Sequence, residues 1–450
     1  AEGTATAPIR FTRAPGASTT WGGLTINGSA NSPESRLSHV IFEYNNSTAI
    51  TVTDGTVWLD NLRFGNTGRQ YLELTRASFV VQNCEFPSPT GSFEPTHGTG
   101  GIKAGGRGIF RRNFWGKVSG YNDALDFTGG QRPGPVLVML NNVFMGSDDD
   151  LLDLDGTDAW VEGNIFVRAR RAGTTPDSGS AISGGQDGGR TSKITAVNNV
   201  FYDLDHVANA KEGNFYVMRD NTVVWQNGVG SLDAETALLV LADEGTAQGA
   251  GVYMEGNVVH TAERLARGVT TAVVTYTNNV LWNVASGAWG GPGGGNVVGD
   301  PQLGRVPVAG ETGFTNWAGA QAMWEWVRPA VGSVARGKGA TGRWGVRVKG
   351  APEGVTPERG AVLTVGFNVT GNGMPVGAYP AGAGWTHYRW RLDGGSWSAE
   401  TPVGTPLVLS GLPDGPHEVE VVGKSDAGWW QDDPVFGEDA TVTRVSWVVD

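Results

Sequence analysis

A short phrase recurs along most of the chain, with a polar residue, usually asparagine, set just before an apolar pair. It reads SHVIF (38–42), DNLRF (60–64), QNCEF (82–86), RNFW (112–115), NNVF (141–144), GNIF (163–166), NNVF (198–201), DNTVV (220–224), GNVV (256–259) and NNVL (278–281). Counted at His39, Asn61, Asn83, Asn113, Asn142, Asn164, Asn199, Asn221, Asn257 and Asn279, the successive gaps are 22, 22, 30, 29, 22, 35, 22, 36 and 22 residues. A base period of 22 returns five times, and the longer gaps add 7 to 14 residues to it. The segments between phrases alternate apolar with polar, the period of strands, and no long amphipathic helical stretch interrupts them.

Such a period predicts an all-β solenoid. One coil cannot bury its own apolar face, so coils stack and each strand pairs with the coil above and below. Asparagine at a fixed turn then forms a side-chain ladder up the stack, amide bonded to amide, so these asparagines read as structural. Insertions at 87–100, 128–135, 168–190 and 225–250 account for the long gaps, and as loops they can wall a groove. The segments VVGDPQLG (297–304) and VGSVARGKGATGRWG (331–345) read as a closing tail. Residues 351–450 lose the asparagine phrase. They alternate in strands such as HYRWRLDGGSWS, separated by Asp-Gly and Pro-Asp-Gly turns.

The 22-residue period with N-x-x-F phrases resembles the right-handed parallel β-helix of the pectate-lyase-like superfamily, over residues 1–345. The last 100 residues, 351–450, are similar to fibronectin type III or immunoglobulin-like sandwiches. Their tryptophans (Trp385, Trp390, Trp397, Trp429, Trp430) are expected mainly in packing, with a sugar-stacking platform as the second reading.

The strand about ten residues before each phrase carries unusual polar residues. Six coils give YLEL (71–74), GIKA (101–104), ALDF (124–127), LLDLD (151–155), AISG (181–184) and ANAKE (208–212). With the apolar residues inward, the outward column reads Glu73, Lys103, Asp126, Asp153 with Asp155, Ser183, and Asn209 with Lys211. Adjacent rungs lie about 4.8 Å apart, so Asp126 and Asp153 become near neighbours. Stacked like charges repel, and a solenoid does not require them. A solvated turn, a structural calcium tying coils together and a catalytic cation are all open. Calcium takes six to eight oxygens, and Asp126, Asp149, Asp150, Asp153 and Asp155 are the expected ligands, with Asp123 a further candidate.

Charge and composition narrow the partners. A net charge of −12 argues against nucleic acid, and no apolar run is long enough for a membrane span. The one cysteine, Cys84, excludes an intrachain disulfide framework and reads as a packed, inert thiol. The chain opens AEGTATAPIRF without a signal peptide, the start expected of a mature product or an excised fragment. A secreted or cell-surface monomer that meets polysaccharide is the expectation.

The phrases YNDALDF (121–127) and SDDDLLDLDG (147–156) resemble those with which family 9 pectate lyases hold calcium on neighbouring coils. The resemblance implies a calcium-dependent polysaccharide lyase with a lysine base. β-Elimination on a uronide needs its carboxylate neutralised and a base at the C5 proton. A lysine serves only where nearby positive charge or burial lowers its pKa. Of seven lysines, Lys211 and then Lys103 are the candidates. Arg107 and Arg112, with His97 and His206, are candidate substrate contacts by proximity. Leu151 stands where the family has glycine, and no arginine is clearly placed for the substrate carboxylate. A glycoside hydrolase, whose two carboxyls can come from the same column, and a calcium-stabilised, non-catalytic binding or adhesion module are the alternatives.

Overall fold

The computed structural model describes residues 1–171, 179–226, 237–242, 245–286, 293–308, 310–311, 313–369 and 383–450. The chain divides into two compact units, Ala1–Gly342 and Arg343–Asp450. The first is a parallel β-solenoid of about 9 turns with three sheets along its length. Sheet I begins at Leu24–Asn27 and Ile50–Thr53, passes through Leu125–Phe127 and Leu152–Asp153, and ends at Ala266–Arg267. Sheet II runs from Ser35–Ser38 to Val273–Thr277. Sheet III is a run of 12 strands from Ile9–Phe11 to Val297–Val298.

The recurring phrase does two jobs in adjacent positions. Its first residue takes a left-handed backbone at His39, Asn61, Asn83, Arg112, Asn141, Gly163, Asn198, Asp220, Gly256 and Asn278, with φ between 50° and 70°. Asn, Asp and Gly tolerate that region best, which explains their recurrence there. The next residue forms the ladder. Each side-chain amide of Asn113, Asn142, Asn164, Asn199, Asn221, Asn257 and Asn279 donates to the next asparagine's Oδ1 at 2.9–3.1 Å, ending on Asn296. The expected ladder needs correcting at its first three positions. His39, Asn61 and Asn83 are the left-handed residues, and the ladder column there holds Val40, Leu62 and Cys84. The Cys84 N–H donates to Asn113 Oδ1 at 2.9 Å, while its sulfur accepts from the Leu62 N–H at 3.4 Å. Cys84 therefore terminates the ladder, its thiol pKa pushed up by burial.

The aromatic residues that close the first seven phrases point inward, in line with Phe11 before them. Phe11, Phe42, Phe64, Phe86, Trp115, Phe144, Phe166 and Phe201 stack in one column, successive centroids 4.5–5.8 Å apart. The expected tail includes two short helices, Trp317–Ala320 and Met323–Trp326. Ala320, Met323, Trp324 and Val327 pack with the outward side chains Val143, Ile165 and Val200 of sheet III. Hydrogen bonds from Trp317 Nε1 to the Asn141 carbonyl (2.7 Å) and from the Ala340 N–H to Thr222 Oγ1 (2.8 Å) fix the tail there. Sheet III is thus covered over this stretch. The outward side chains of sheet I from Thr25 to Asp153 stay exposed or half-buried.

The second unit pairs a three-stranded sheet (Val348–Lys349, Gly360–Val365, Leu407–Ser410) with a larger, mostly antiparallel one built on Ala383–Leu392, Gly415–Ser425 and Thr443–Val449. Trp385 and Trp447 lie in its core. Trp397 and Trp430 flank the Arg389 guanidinium at 5.4 and 4.9 Å, so cations occupy ring faces that a sugar platform would need.

Candidate functional site

Strand register fixes the outward column of sheet I as Thr51, Glu73, His97, Asp126, Asp153, Ser183, Asn209, Val240 and Arg267. Asp126 and Asp153 are direct register partners. The expected place of Lys103 belongs to His97. The strand of that coil is Thr96–Ile102, and its pairing residues lie six positions earlier than the apolar pattern of GIKA suggested. The threonines and glycines of THGTG hid the strand. Lys103 lies beyond it, its ammonium donating to the Ser29 carbonyl at 2.6 Å, away from the aspartates.

The six aspartates between 148 and 158 separate into distinct roles. The first and last are paired structurally. Asp148 meets Lys117 at 3.0 Å and accepts from the Gly120 N–H at 3.1 Å. Asp158 accepts from the backbone N–H groups of Arg132 and Lys193 at 2.8 and 2.9 Å. Asp149 and Asp150 converge instead with Asp123 of the preceding coil, one carboxylate oxygen of each lying within 4.8 Å of the others. Backbone contacts fix the cluster: the Asp150 N–H donates to Asp123 Oδ1 (2.9 Å), and the Ser180 N–H donates to Asp150 Oδ1 (2.8 Å). Asp123 and Asp150 are buried and Asp149 is half-buried.

Burial is the largest influence on these carboxyls, and mutual repulsion adds to it. It pushes Asp123 well above the usual range, helped by the charges of Asp153, Asp150 and Asp149. It raises Asp149 to about 7, with Asp150 next in effect. Asp150 also rises, opposed by the Ser180 N–H. Asp153 is held well above the usual range by burial and then by Asp155, Asp150 and Asp126. A set of oxygens that resists ionisation together is stabilised by a proton or a cation. Because the donors are all carboxylate oxygens, the set fits a hard cation such as calcium.

Asp126 and Asp155 do not join that set. Asp126 faces His97, with Nε2 to Oδ2 at 3.6 Å, while His97 Nδ1 lies 3.0 Å from Glu94 Oε2. Burial raises the Asp126 carboxyl to about 6, and His97 opposes the rise. Asp155 faces Glu212 across Gly185, where an added Cβ would stand 2.6 Å from Asp155 Oδ1 and 2.9 Å from Glu212 Oε2. Lys211 lies at the far side of the cluster, near enough for its charge to lower the carboxyls of Asp149, Asp150 and Asp153. Tyr121, which the sequence reading passed over, stands at the rim, 57% exposed, with the Asp149 charge raising its hydroxyl pKa. Its one sequence signal was an aromatic beside Asn122 and Asp123 in a polar turn.

The remaining expected contacts lie elsewhere. Arg107 pairs with Glu34 at 2.6 Å and lies 5.6 Å from the Trp58 ring. Arg112 takes the left-handed turn position and covers the Trp317 ring at 4.4 Å. His206 shares the inward parity of Ala208 and is fully buried, Nδ1 lying 2.7 Å from the Ala237 carbonyl.

No known family profile matches the sequence, and no curated protein matches it. Among solved structures the chain is similar to the siphovirus 9NA tailspike receptor binding domain, at 11% identity and a TM-score of 0.21. That match covers 98% of this chain and 95% of the other. A likeness of that size carries no functional argument.

Proposed function

We propose that this chain is an extracellular carbohydrate-active protein, a calcium-dependent lyase that cleaves a uronic-acid-containing polysaccharide by β-elimination. The observation that carries the reading is the convergence of Asp123, Asp149 and Asp150 in the turns that lead into sheet I, with Lys211 near enough for its charge to act on Asp149 and Asp150. Bound calcium would neutralise the carboxylate of the sugar to be cleaved and so acidify its C5 proton. Asp123, Asp149 and Asp150 would hold the ion, their buried positions and backbone hydrogen bonds fixing its place. The positive charge of bound calcium would offset these carboxylates and hold the Lys211 ammonium pKa down, so that its Nζ could take the C5 proton. The freed electron pair forms the C4–C5 double bond, the C4–O glycosidic bond breaks, and the leaving oxygen gains a proton from solvent. Tyr121 offers an exposed ring to a sugar face at the rim.

Incubation with a panel of uronide polymers tests the reading, with ultraviolet-absorbing unsaturated ends as the expected product. Lys211→Ala should lower kcat by at least 100-fold while leaving calcium binding intact. Reducing ends without that absorbance would assign a hydrolase. Absence of any product would leave a binding module.

A further inference from the structure

A second group of ligating side chains stands apart from the aspartate cluster and differs from it in chemistry. Glu94, His97 and Asp126 each place one ligand atom within 4.8 Å of the others, all three half-buried and open to solvent. We propose that His97 Nε2 and Asp126 bind a borderline divalent cation of the zinc class, with Glu94 as the carboxylate that orients the imidazole.

The two ring nitrogens of His97 have different surroundings. Nδ1 lies 3.0 Å from Glu94 Oε2, a hydrogen bond that keeps the proton on Nδ1 and turns the Nε2 lone pair toward Asp126. A carboxylate on the far nitrogen is the usual outer partner of a metal-bound histidine. Nε2 and Asp126 Oδ2 are 3.6 Å apart, too far for a hydrogen bond. Two ligand atoms each about 2.1 Å from a tetrahedral zinc stand about 3.4 Å apart, close to the gap observed. Glu73 and Asp153, one rung to either side in the same outward column, offer further oxygens, and water can complete the shell. Imidazole with carboxylate favours zinc, cobalt or nickel over calcium, so the two sites should sort cations by type. This inference does not rest on the lyase reading, since it concerns binding alone.

The test uses the full chain, stripped of metal and then held in saturating calcium so that the aspartate cluster is occupied. Cobalt(II) is titrated and its visible d–d absorption followed, with zinc(II) measured in parallel by calorimetry. One equivalent should bind, and His97→Gln and Asp126→Asn should each weaken binding at least tenfold, whereas Asp150→Asn should not change it. Absence of saturable binding would overturn the proposal. So would unchanged binding in His97→Gln, which would put the metal elsewhere. Failure of the lyase assay would leave either result readable.

Discussion

At the residue scale, burial makes the carboxyls of the cluster, and Asp126 beside it, keep their protons to a higher pH than free carboxyls do. Burial pushes Asp149 of the cluster up to about 7 and Asp126, outside it, up to about 6, both from 3.8. A carboxyl raised in the folded state contributes stability that is full below its unfolded pKa and is lost as pH rises through the folded value. Calcium-free protein should therefore lose melting temperature between pH 4 and pH 8 through these groups, most steeply between about 5 and 6, where both are ionised in the unfolded chain and still protonated in the folded one, and the loss should be complete above about 7. Asp149→Asn, which fixes the neutral form, should melt higher than the parent at pH 8 and converge with it near pH 4. Added calcium should flatten the parent's profile and raise its melting temperature, and Asp150→Asn should remove most of that rise. Melting curves with chelator or calcium across this range check all three outcomes. The outward aspartates of sheet I were legible in the sequence because leucines alternate with them. The division of labour among them was not, since the partners of Asp148 and Asp158 (Lys117, Arg132 and Lys193) lie on neighbouring coils at separations of 26 to 35 residues.

At the element scale, the repeat phrase makes each turn twice useful, a left-handed residue followed by a ladder amide. Asn164 is fully buried, donates to the Met139 carbonyl and Asn199, and accepts from Asn142. Removing its amide leaves buried groups unsatisfied on both sides, a cost of about 2–3 kcal/mol. Asn164→Ala should lower unfolding free energy by that amount in a denaturant titration. Cys84→Asn should be tolerated within about 1 kcal/mol, because its amide would take the acceptor and donor roles already present in that column. The period revealed the coils because sterics impose one left-handed turn per rung. It misplaced the column at Lys103 because small and polar residues, Thr96 to Gly101, form that strand with little apolar signal. The short helices of the tail were missed for a related reason. Each has four residues, too few to show a helical period, and packing on sheet III rather than propensity holds them.

At the scale of the whole molecule, a chain of net charge −12 that meets an anionic polymer must offset repulsion, and the acidic face of sheet I concentrates the problem at the site. On the proposed function, calcium is therefore a condition of binding as well as of chemistry. Polymer affinity, measured by calorimetry with Lys211→Ala to prevent turnover, should fall at least tenfold when calcium is removed. The decisive measurement of calcium-dependent β-elimination follows unsaturated product from a uronide polymer as free calcium is titrated. Product formation should rise with calcium occupancy, vanish with chelator and return on adding calcium back. Unsaturated product formed at full rate in chelator would contradict calcium-dependent elimination.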